Sequence, residues 1–151
     1  MTYTFGLDTF GDRNSDADGK PLSHAQTIRN VVDEGVFAEQ AGVDFFGIGE
    51  HHTDYFPMPA GDVVLAAIAA RTERIRLGSA VTVLSSDDPV RVFQRYSTLN
   101  AISGGRAEVI LGRGSSIEST TRSSSRRRPR CSPSCSRAGR SPGTARPARP
   151  C

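Results

Sequence analysis

The sequence predicts an α/β protein whose strands run parallel, and two observations support this fold class. Short apolar runs typical of buried strands alternate with segments whose apolar residues recur at helical spacing. The predicted order of elements is βαβαβαβ, and strands joined by helical crossovers pair in parallel. The pattern leaves two architectures open: an open doubly wound sheet, or part of a (β/α)8 barrel.

The first strand and helix are predicted from local signals. Residues 3–7 form a short strand pattern, and residues 8–21, rich in Asp, Gly and Asn, form a loop. Ser23 and Gln26 make a capping-box pattern, in which each side chain satisfies a free backbone N–H of the other residue. Gly42 is suited to the helix end. The apolar face of this helix comprises Ile28, Val31, Val32, Gly35 and Val36.

The later elements follow the same alternation. Asp88 and Pro89 predict the start of a helix, with Asp88 as N-cap and proline at the first helical position, and Gly104 and Gly105 predict its end. The other predicted elements are strands at 43–49, 75–84 and 106–111 and a helix at 62–72.

The composition of the chain changes abruptly after residue 119. Residues 120–151 contain nine Arg, seven Ser, five Pro and all three Cys of the chain, and no acidic residue. Their net charge is +9, so the first 119 residues, with ten basic and 16 acidic side chains, carry −6. We therefore predict a folded domain over 1–119 and a disordered tail over 120–151, because the tail has almost no apolar surface to bury.

Three interpretations of the tail remain: a solvated extension, a nucleic-acid-binding arm, or GC-rich DNA read out of frame. The abrupt change favours the third, and we expect no nucleic-acid partner. The start of the chain resembles no signal peptide, and no apolar stretch has the length of a membrane span. A cytoplasmic protein without a metal site is expected, since three cysteines in the tail do not complete a zinc site.

The sequence GIGEHH stands where the second predicted strand ends. The carboxyl ends of parallel strands form the functional edge of such folds, and histidines there can exchange protons near neutral pH. Alternation of side chains places Glu50 and His52 on one side and His51 on the other. The competing interpretation is a polar cluster that only caps loops.

Two further segments have features of a ligand site. In GRGSS, the Arg113 guanidinium, the exposed backbone of two glycines and the hydroxyl of Ser115 suit a phosphate or another anion. A salt-bridged loop arginine is the alternative. In the third predicted strand, Gly78, Ser79 and Ala80 leave room for a flat ligand near the backbone, although close strand–helix packing explains them equally well.

Three stretches together resemble the luciferase-like flavin-dependent monooxygenases. They are GIGEHH, RTERIRLGSAVTVLSSDDPVRVFQ and GGRAEVILGRGS, and the resemblance extends over residues 3–119 in the order and spacing of that family. It implies a (β/α)8 barrel, of which this chain carries the N-terminal half. The implied reaction uses reduced flavin and molecular oxygen to oxygenate an organic substrate.

The resemblance also implies roles for individual residues. His51 matches a histidine beside the flavin that handles protons, and His52 and Glu50 line the same strand end, with Glu50 expected to contact the cofactor. Ala80 and Val81 match a non-prolyl cis peptide under the flavin ring, and Arg113 matches the arginine that binds the flavin phosphate. FMN is the expected cofactor and F420 the alternative. A separate flavin reductase is expected to supply the reduced flavin.

The sequence departs from the family after residue 119, where the family continues through an apolar helix into a second half barrel. Only four strands are predicted here, whereas a (β/α)8 barrel needs about 250 residues. We therefore expect a truncated chain with little or no activity. The alternatives are a non-catalytic flavin-binding half barrel and, less favoured, a nucleic-acid binder with a basic tail. The sequence does not fix the oligomeric state, and it allows a homo-oligomer.

Overall fold

The computed structural model describes residues 3–114. The predicted boundary at residue 119 and the predicted disorder of 120–151 lie outside these residues. Within them, three helices alternate with strands. In chain order the elements are β1 (Gly6–Thr9), α1 (His24–Gln40), β2 (Phe45–Ile48), α2 (Gly61–Ala69), β3 (Arg76–Ser79), β4 (Thr82–Val83), α3 (Pro89–Ile102), β5 (Ala107–Glu108) and β6 (Leu111–Gly112).

The strands form a parallel sheet, as the sequence predicts. Its order is β1-β2-β3-β5, and β4 pairs separately with β6, also in parallel. All three helices pack on one face of this sheet, where alternate strand side chains meet the apolar faces of the helices. The largest fully buried side chains of this core are Val31, Ile48, Met58, Leu65, Ile68, Ile75, Leu77 and Leu99.

The first strand begins three residues later than predicted. Pairing with β2 starts at Gly6, opposite Phe45. One residue earlier, the Asp44 carboxylate accepts the Phe5 N–H at 2.8 Å, and the Phe5 carbonyl accepts the backbone N–H groups of Asp44 and Phe45 at 2.8 and 3.2 Å. Tyr3 is 73% exposed and has no strand partner among the described residues. The predicted strand at 3–7 is therefore wrong at its amino end.

The long third strand predicted at 75–84 is interrupted. Gly78 pairs with Glu108, and the next paired residues are Thr82 and Leu111. The segment from Gly78 to Thr82 is therefore one residue longer than the segment from Glu108 to Leu111 that runs beside it. Between these pairs the Ser79 hydroxyl replaces the backbone ladder: it donates to the Ile110 carbonyl at 2.9 Å and accepts the Ile110 N–H at 3.0 Å. The interruption divides the fourth predicted strand as well.

The helix ends follow the local signals closely. The Ser23 hydroxyl accepts the Gln26 N–H at 3.2 Å, and the Asp88 carboxylate accepts the N–H groups of Val90 and Arg91 at 2.9 and 3.1 Å. The capping box is only half formed, because the Gln26 Oε1 accepts from the Arg29 guanidinium at 2.8 Å instead of from the Ser23 N–H. Gly42 follows the end of α1 with φ +83°, a conformation that favours glycine.

None of the helices in residues 3–114 combines the length and the apolar character that crossing a membrane requires.

Candidate functional site

Three chain segments meet at the carboxyl edge of the sheet. The segment after β2 leads from Gly49 to His52, the segment after β3 contains Ala80 and Val81, and Arg113 follows β6. The Ala80 N–H donates to the Ile48 carbonyl at 2.9 Å, which holds the first two segments side by side. The Leu84 N–H donates to the Gly112 carbonyl at 3.0 Å, which joins the second to the third. Parallel pairing thus brings the three predicted segments together.

His51 lies in an aromatic pocket at this edge. Its imidazole packs against the rings of Phe10 and Phe56, with centroids 4.8 and 5.1 Å away, and the backbone N–H of His51 donates to the Met58 carbonyl at 3.2 Å. Burial lowers the pKa of His51 below its ordinary value, and the neighbouring His52 lowers it further, against weaker opposing effects of nearby carboxylates. The ring is therefore neutral near pH 7 and has a free electron pair to accept a proton.

The lowered pKa predicts a titration that can be measured. We expect the ring-proton NMR signal of His51, assigned with His51→Gln, to titrate with a midpoint below 6.5. Phe10→Ser should raise this midpoint, because water then reaches the imidazole. Phe93→Ser, which removes a 72% exposed ring on α3, should leave it unchanged. A His51 midpoint at or above 6.5 contradicts burial as the cause.

The same shift has a defined sign for stability. The unfolded chain binds a proton at this imidazole more readily than the folded chain does. The contribution of the His51 imidazole to the free energy of unfolding is therefore present above about pH 6.5, and it is lost as the pH falls below that value.

Glu50 and His52 share one side of the segment and His51 lies on the other, which confirms the alternation predicted from sequence. The Glu50 side chain is 17% exposed, and its Oε1 lies 2.9 Å from His52 Nε2. Its Oε2 accepts the Val83 N–H at 3.0 Å, and its Oε1 accepts from the Ser86 hydroxyl at 3.4 Å. The protein's own groups therefore engage both oxygens of the Glu50 carboxylate.

The peptide bond between Ala80 and Val81 is cis. Both residues are partly exposed at the site edge. The neighbouring small residues are used differently: a Cβ on Gly78 would lie 2.8 Å from the Phe45 ring, and Ser79 bonds Ile110 across the strand break. Close packing within the protein explains Gly78 and Ser79. Ala80 alone of the three keeps a partly open position.

Arg113 is exposed and follows the last described strand. Its carbonyl accepts from the Ser85 hydroxyl at 2.8 Å, and Gly114 after it has φ +77°. The ion pairs formed within residues 3–114 do not include the Arg113 guanidinium, so its charge is available to an anion. Ser115, predicted to bind the same anion, lies outside the described residues.

A polar cluster beside the site was missed by the sequence analysis. Arg95 on α3 forms ion pairs with Asp62 at the start of α2 and with Asp87. Next to it, the buried Tyr96 hydroxyl accepts from the Thr82 hydroxyl at 3.2 Å, and burial raises the pKa of Tyr96. A cleft of about 260 Å³ lies over these groups. The sequence did not indicate this cluster, since the spacing of residues in a helix carries no information on distant hydrogen-bond partners.

In the part of the chain that the structure covers, no three His, Cys, Asp or Glu side chains converge on a point that could hold a metal ion.

The sequence matches the luciferase-like monooxygenase family over residues 7–130, and the chain belongs to this family. It is 34% identical over 101 residues to an uncharacterized protein of Sinorhizobium fredii. This match covers 66% of this chain and 29% of that protein. It is 30% identical over 96 residues to the N-acetyl-S-alkylcysteine monooxygenase of Bacillus subtilis, covering 63% and 29%. The chain thus spans less than a third of the length of these curated relatives.

Solved structures of this class show the same fold. The oxygenating constituent of 3,6-diketocamphane monooxygenase from Pseudomonas putida, solved in complex with FMN, superposes with a TM-score of 0.70 at 22% identity, over 80% of this chain and 32% of that one. The coenzyme F420-dependent tetrahydromethanopterin reductase of Methanopyrus kandleri gives a TM-score of 0.56 at 25% identity, over 80% and 29%. The likeness confirms part of a (β/α)8 barrel and excludes the open doubly wound sheet.

Proposed function

We propose that this chain contributes the flavin-binding part of a flavin-dependent monooxygenase, with FMN as the flavin. The observation that carries the proposal is the meeting of three features at one sheet edge. The partly exposed residues Ala80 and Val81 adjoin the segment that holds His51, and an arginine without an ion-pair partner in the described part of the chain follows the adjacent strand.

The residues present fit this cofactor. The exposed guanidinium of Arg113 would hold the phosphate, with Ser115 as a further donor, and Ala80 and Val81 would lie under the ring. When bound, FMN supplies the redox chemistry that activates oxygen toward an organic substrate. The relatives named above as monooxygenases, and the FMN of the Pseudomonas putida protein, support this assignment. F420 is the alternative, supported by the Methanopyrus kandleri reductase.

The chain's own residues have separate tasks in this proposal. The neutral His51 imidazole accepts a proton at a ring nitrogen and returns it, in a pocket where Phe10 and Phe56 limit the access of water. His52 is proposed to take part in the same proton handling from the opposite side of the segment. Glu50, which the sequence analysis assigned to the cofactor, has both carboxylate oxygens engaged by protein groups.

Several parts of the functional hypothesis stay predictions. They are the separate flavin reductase, the homo-oligomer, the cytoplasmic location and the division into a domain at 1–119 and a tail. The organic substrate and the oxygenation step are proposals for the whole protein, since the chain covers about 30% of its relatives.

Equilibrium titration with three ligands tests the proposal. Binding is followed by the change in the fluorescence of the titrated flavin. We expect FMN to bind at a lower concentration than riboflavin, which shares the ring and lacks the phosphate. F420 titrated in the same way decides between the two cofactors. Equal affinities for FMN and riboflavin contradict a phosphate site at Arg113. If F420 binds and FMN does not, F420 is the cofactor and the assignment of FMN is wrong. FMN binding without oxygen-dependent product formation favours the non-catalytic flavin-binding alternative.

A further inference from the structure

The segment after the cis peptide is attached to the sheet unusually. The strand β4 is not part of the four-stranded sheet and pairs only with β6 among the described strands. On its other side, the last backbone hydrogen bond toward β2 is the one from the Ala80 N–H to the Ile48 carbonyl. Beyond that point the backbone of β4 has no ladder to β2 within the described residues, and its N–H groups need other acceptors.

Glu50 supplies that acceptor. Its Oε2 accepts the Val83 N–H at 3.0 Å, three residues past the last backbone bond, where a neighbouring strand would otherwise present a carbonyl. The Glu50 side chain is 17% exposed, and hydrogen bonds from a backbone N–H to a charged carboxylate are stronger than neutral ones. A side chain from the end of β2 therefore continues the sheet across the gap to β4.

The same carboxylate also reaches the histidine pair. Glu50 Oε1 lies 2.9 Å from His52 Nε2, and it accepts from the Ser86 hydroxyl at 3.4 Å. One group thus links the histidine segment, β4 and the loop after β4. β4 and the loop after it follow Ala80-Val81 in the chain, and the histidine segment lies beside Ala80 through the bond from the Ala80 N–H to the Ile48 carbonyl.

We propose that Glu50 is a positioning residue, whose carboxylate fixes the chain after Ala80-Val81 relative to the histidine segment and so sets the width of the flavin site. The expected effect on FMN binding rests on the proposed function. The expected effect on the backbone at Val83 rests on the hydrogen bonds alone. Glu50 acts through Val83 and His52 in this scheme and does not itself contact the cofactor.

The test compares Glu50→Met with Glu50→Gln. Methionine keeps the length of the side chain and removes the acceptor, whereas glutamine keeps one oxygen that can accept the Val83 N–H. In Glu50→Met we expect amide hydrogen exchange at Val83 to accelerate at least tenfold and the Kd for FMN to rise at least fivefold. Glu50→Gln should restore both to within about threefold of wild type while still shifting the His52 ring signals. These fold-changes correspond to the loss of one charge-assisted hydrogen bond.

Controls and contrary outcomes are defined on the same variants. Ser86→Ala removes the 3.4 Å contact with Glu50 and the bond from the Ser86 hydroxyl to the Val83 carbonyl at 3.0 Å, but it keeps the bond from the Val83 N–H to Glu50, so neither readout should change more than twofold. If exchange at Val83 in Glu50→Met stays within twofold of wild type, or rises equally in β1 and β2, the positioning role is wrong. Should the methionine variant not fold, Glu50→Asp takes its place, because its shorter carboxylate keeps the charge and loses the reach.

The two hypotheses fail separately. If wild-type protein binds no FMN, the proposed function is wrong, while exchange at Val83 and the His52 signals still judge the positioning role. If FMN binds and Glu50→Met leaves its Kd unchanged, the proposed function stands and the positioning role is overturned.

Discussion

Arg106→Ala is expected to lower the free energy of unfolding by about 3 kcal/mol, the largest stability effect of any single substitution considered. The guanidinium makes five hydrogen bonds at the amino edge of the sheet. It donates to the carbonyls of Ser103, Ile75, Ala69 and Thr72 at 2.8, 2.8, 3.1 and 2.9 Å, and to the Thr72 hydroxyl at 3.1 Å.

The position of these acceptors explains the size of the effect. Ala69 is the last residue of α2, so its carbonyl and those after it have no partner inside the helix. The positive guanidinium also lies at the negative end of the helix dipole. Alanine at 106 leaves several of these carbonyls without a donor in a partly buried place, and that loss costs more than the bonds themselves contribute.

Urea denaturation followed by circular dichroism measures this effect, with two comparison variants. Arg91→Ala on α3 removes an exposed guanidinium with one bond, 3.1 Å to Gln94, and should change stability by less than about 0.5 kcal/mol. Arg106→Lys keeps the charge and loses the planar fork, so most of the loss should remain. Equal denaturation midpoints for Arg106→Ala and Arg91→Ala contradict this role.

Arg113→Ala is expected to weaken FMN binding about 10- to 100-fold. A hydrogen bond between charged groups contributes about 1.5 to 3 kcal/mol, and each 1.4 kcal/mol changes an affinity tenfold. The guanidinium is exposed and forms no ion pair within residues 3–114, so no internal charge is stranded when it is removed. The folded structure should therefore survive the substitution.

The comparison with riboflavin makes this test specific. Riboflavin lacks the phosphate, so its Kd should be the same for wild type and Arg113→Ala to within about twofold. Arg91→Ala is the matched control for loss of one positive charge at the surface. Added salt should weaken FMN binding more in wild type than in Arg113→Ala, because screening acts on the ion pair. An equal loss for FMN and riboflavin would show that the arginine supports the fold rather than the phosphate.

The predictions from sequence succeeded where the signal is local. Capping by Ser23 and Asp88 depends on backbone N–H groups two or three residues away, and the structure confirms both. The sidedness of Glu50, His51 and His52 follows from alternation along the chain, and the contacts of His52 and His51 confirm it. The helices bounded by such signals begin and end within a few residues of the predicted positions.

The failures share a physical cause, which is dependence on register between distant strands. A strand at 75–84 looks continuous in sequence, and its interruption appears only in the pairing with residues 107–112. Gly78 looked like room for a ligand, yet the Phe45 ring from the neighbouring strand lies there. The five atoms that accept hydrogen bonds from Arg106 belong to Ala69, Thr72, Ile75 and Ser103, and three of these residues lie more than 30 positions away in the chain.

The sequence by itself determined the alternation of strands and helices, the parallel sheet, the helix caps and the family motifs that meet at the carboxyl edge. It did so because these depend on neighbouring residues and on the chirality of helical crossovers. Only the tertiary structure decided that Glu50 bonds the Val83 N–H, and that His51 lies between Phe10 and Phe56. Those contacts join residues far apart in the chain, and their energies exist only once the register of the sheet is set.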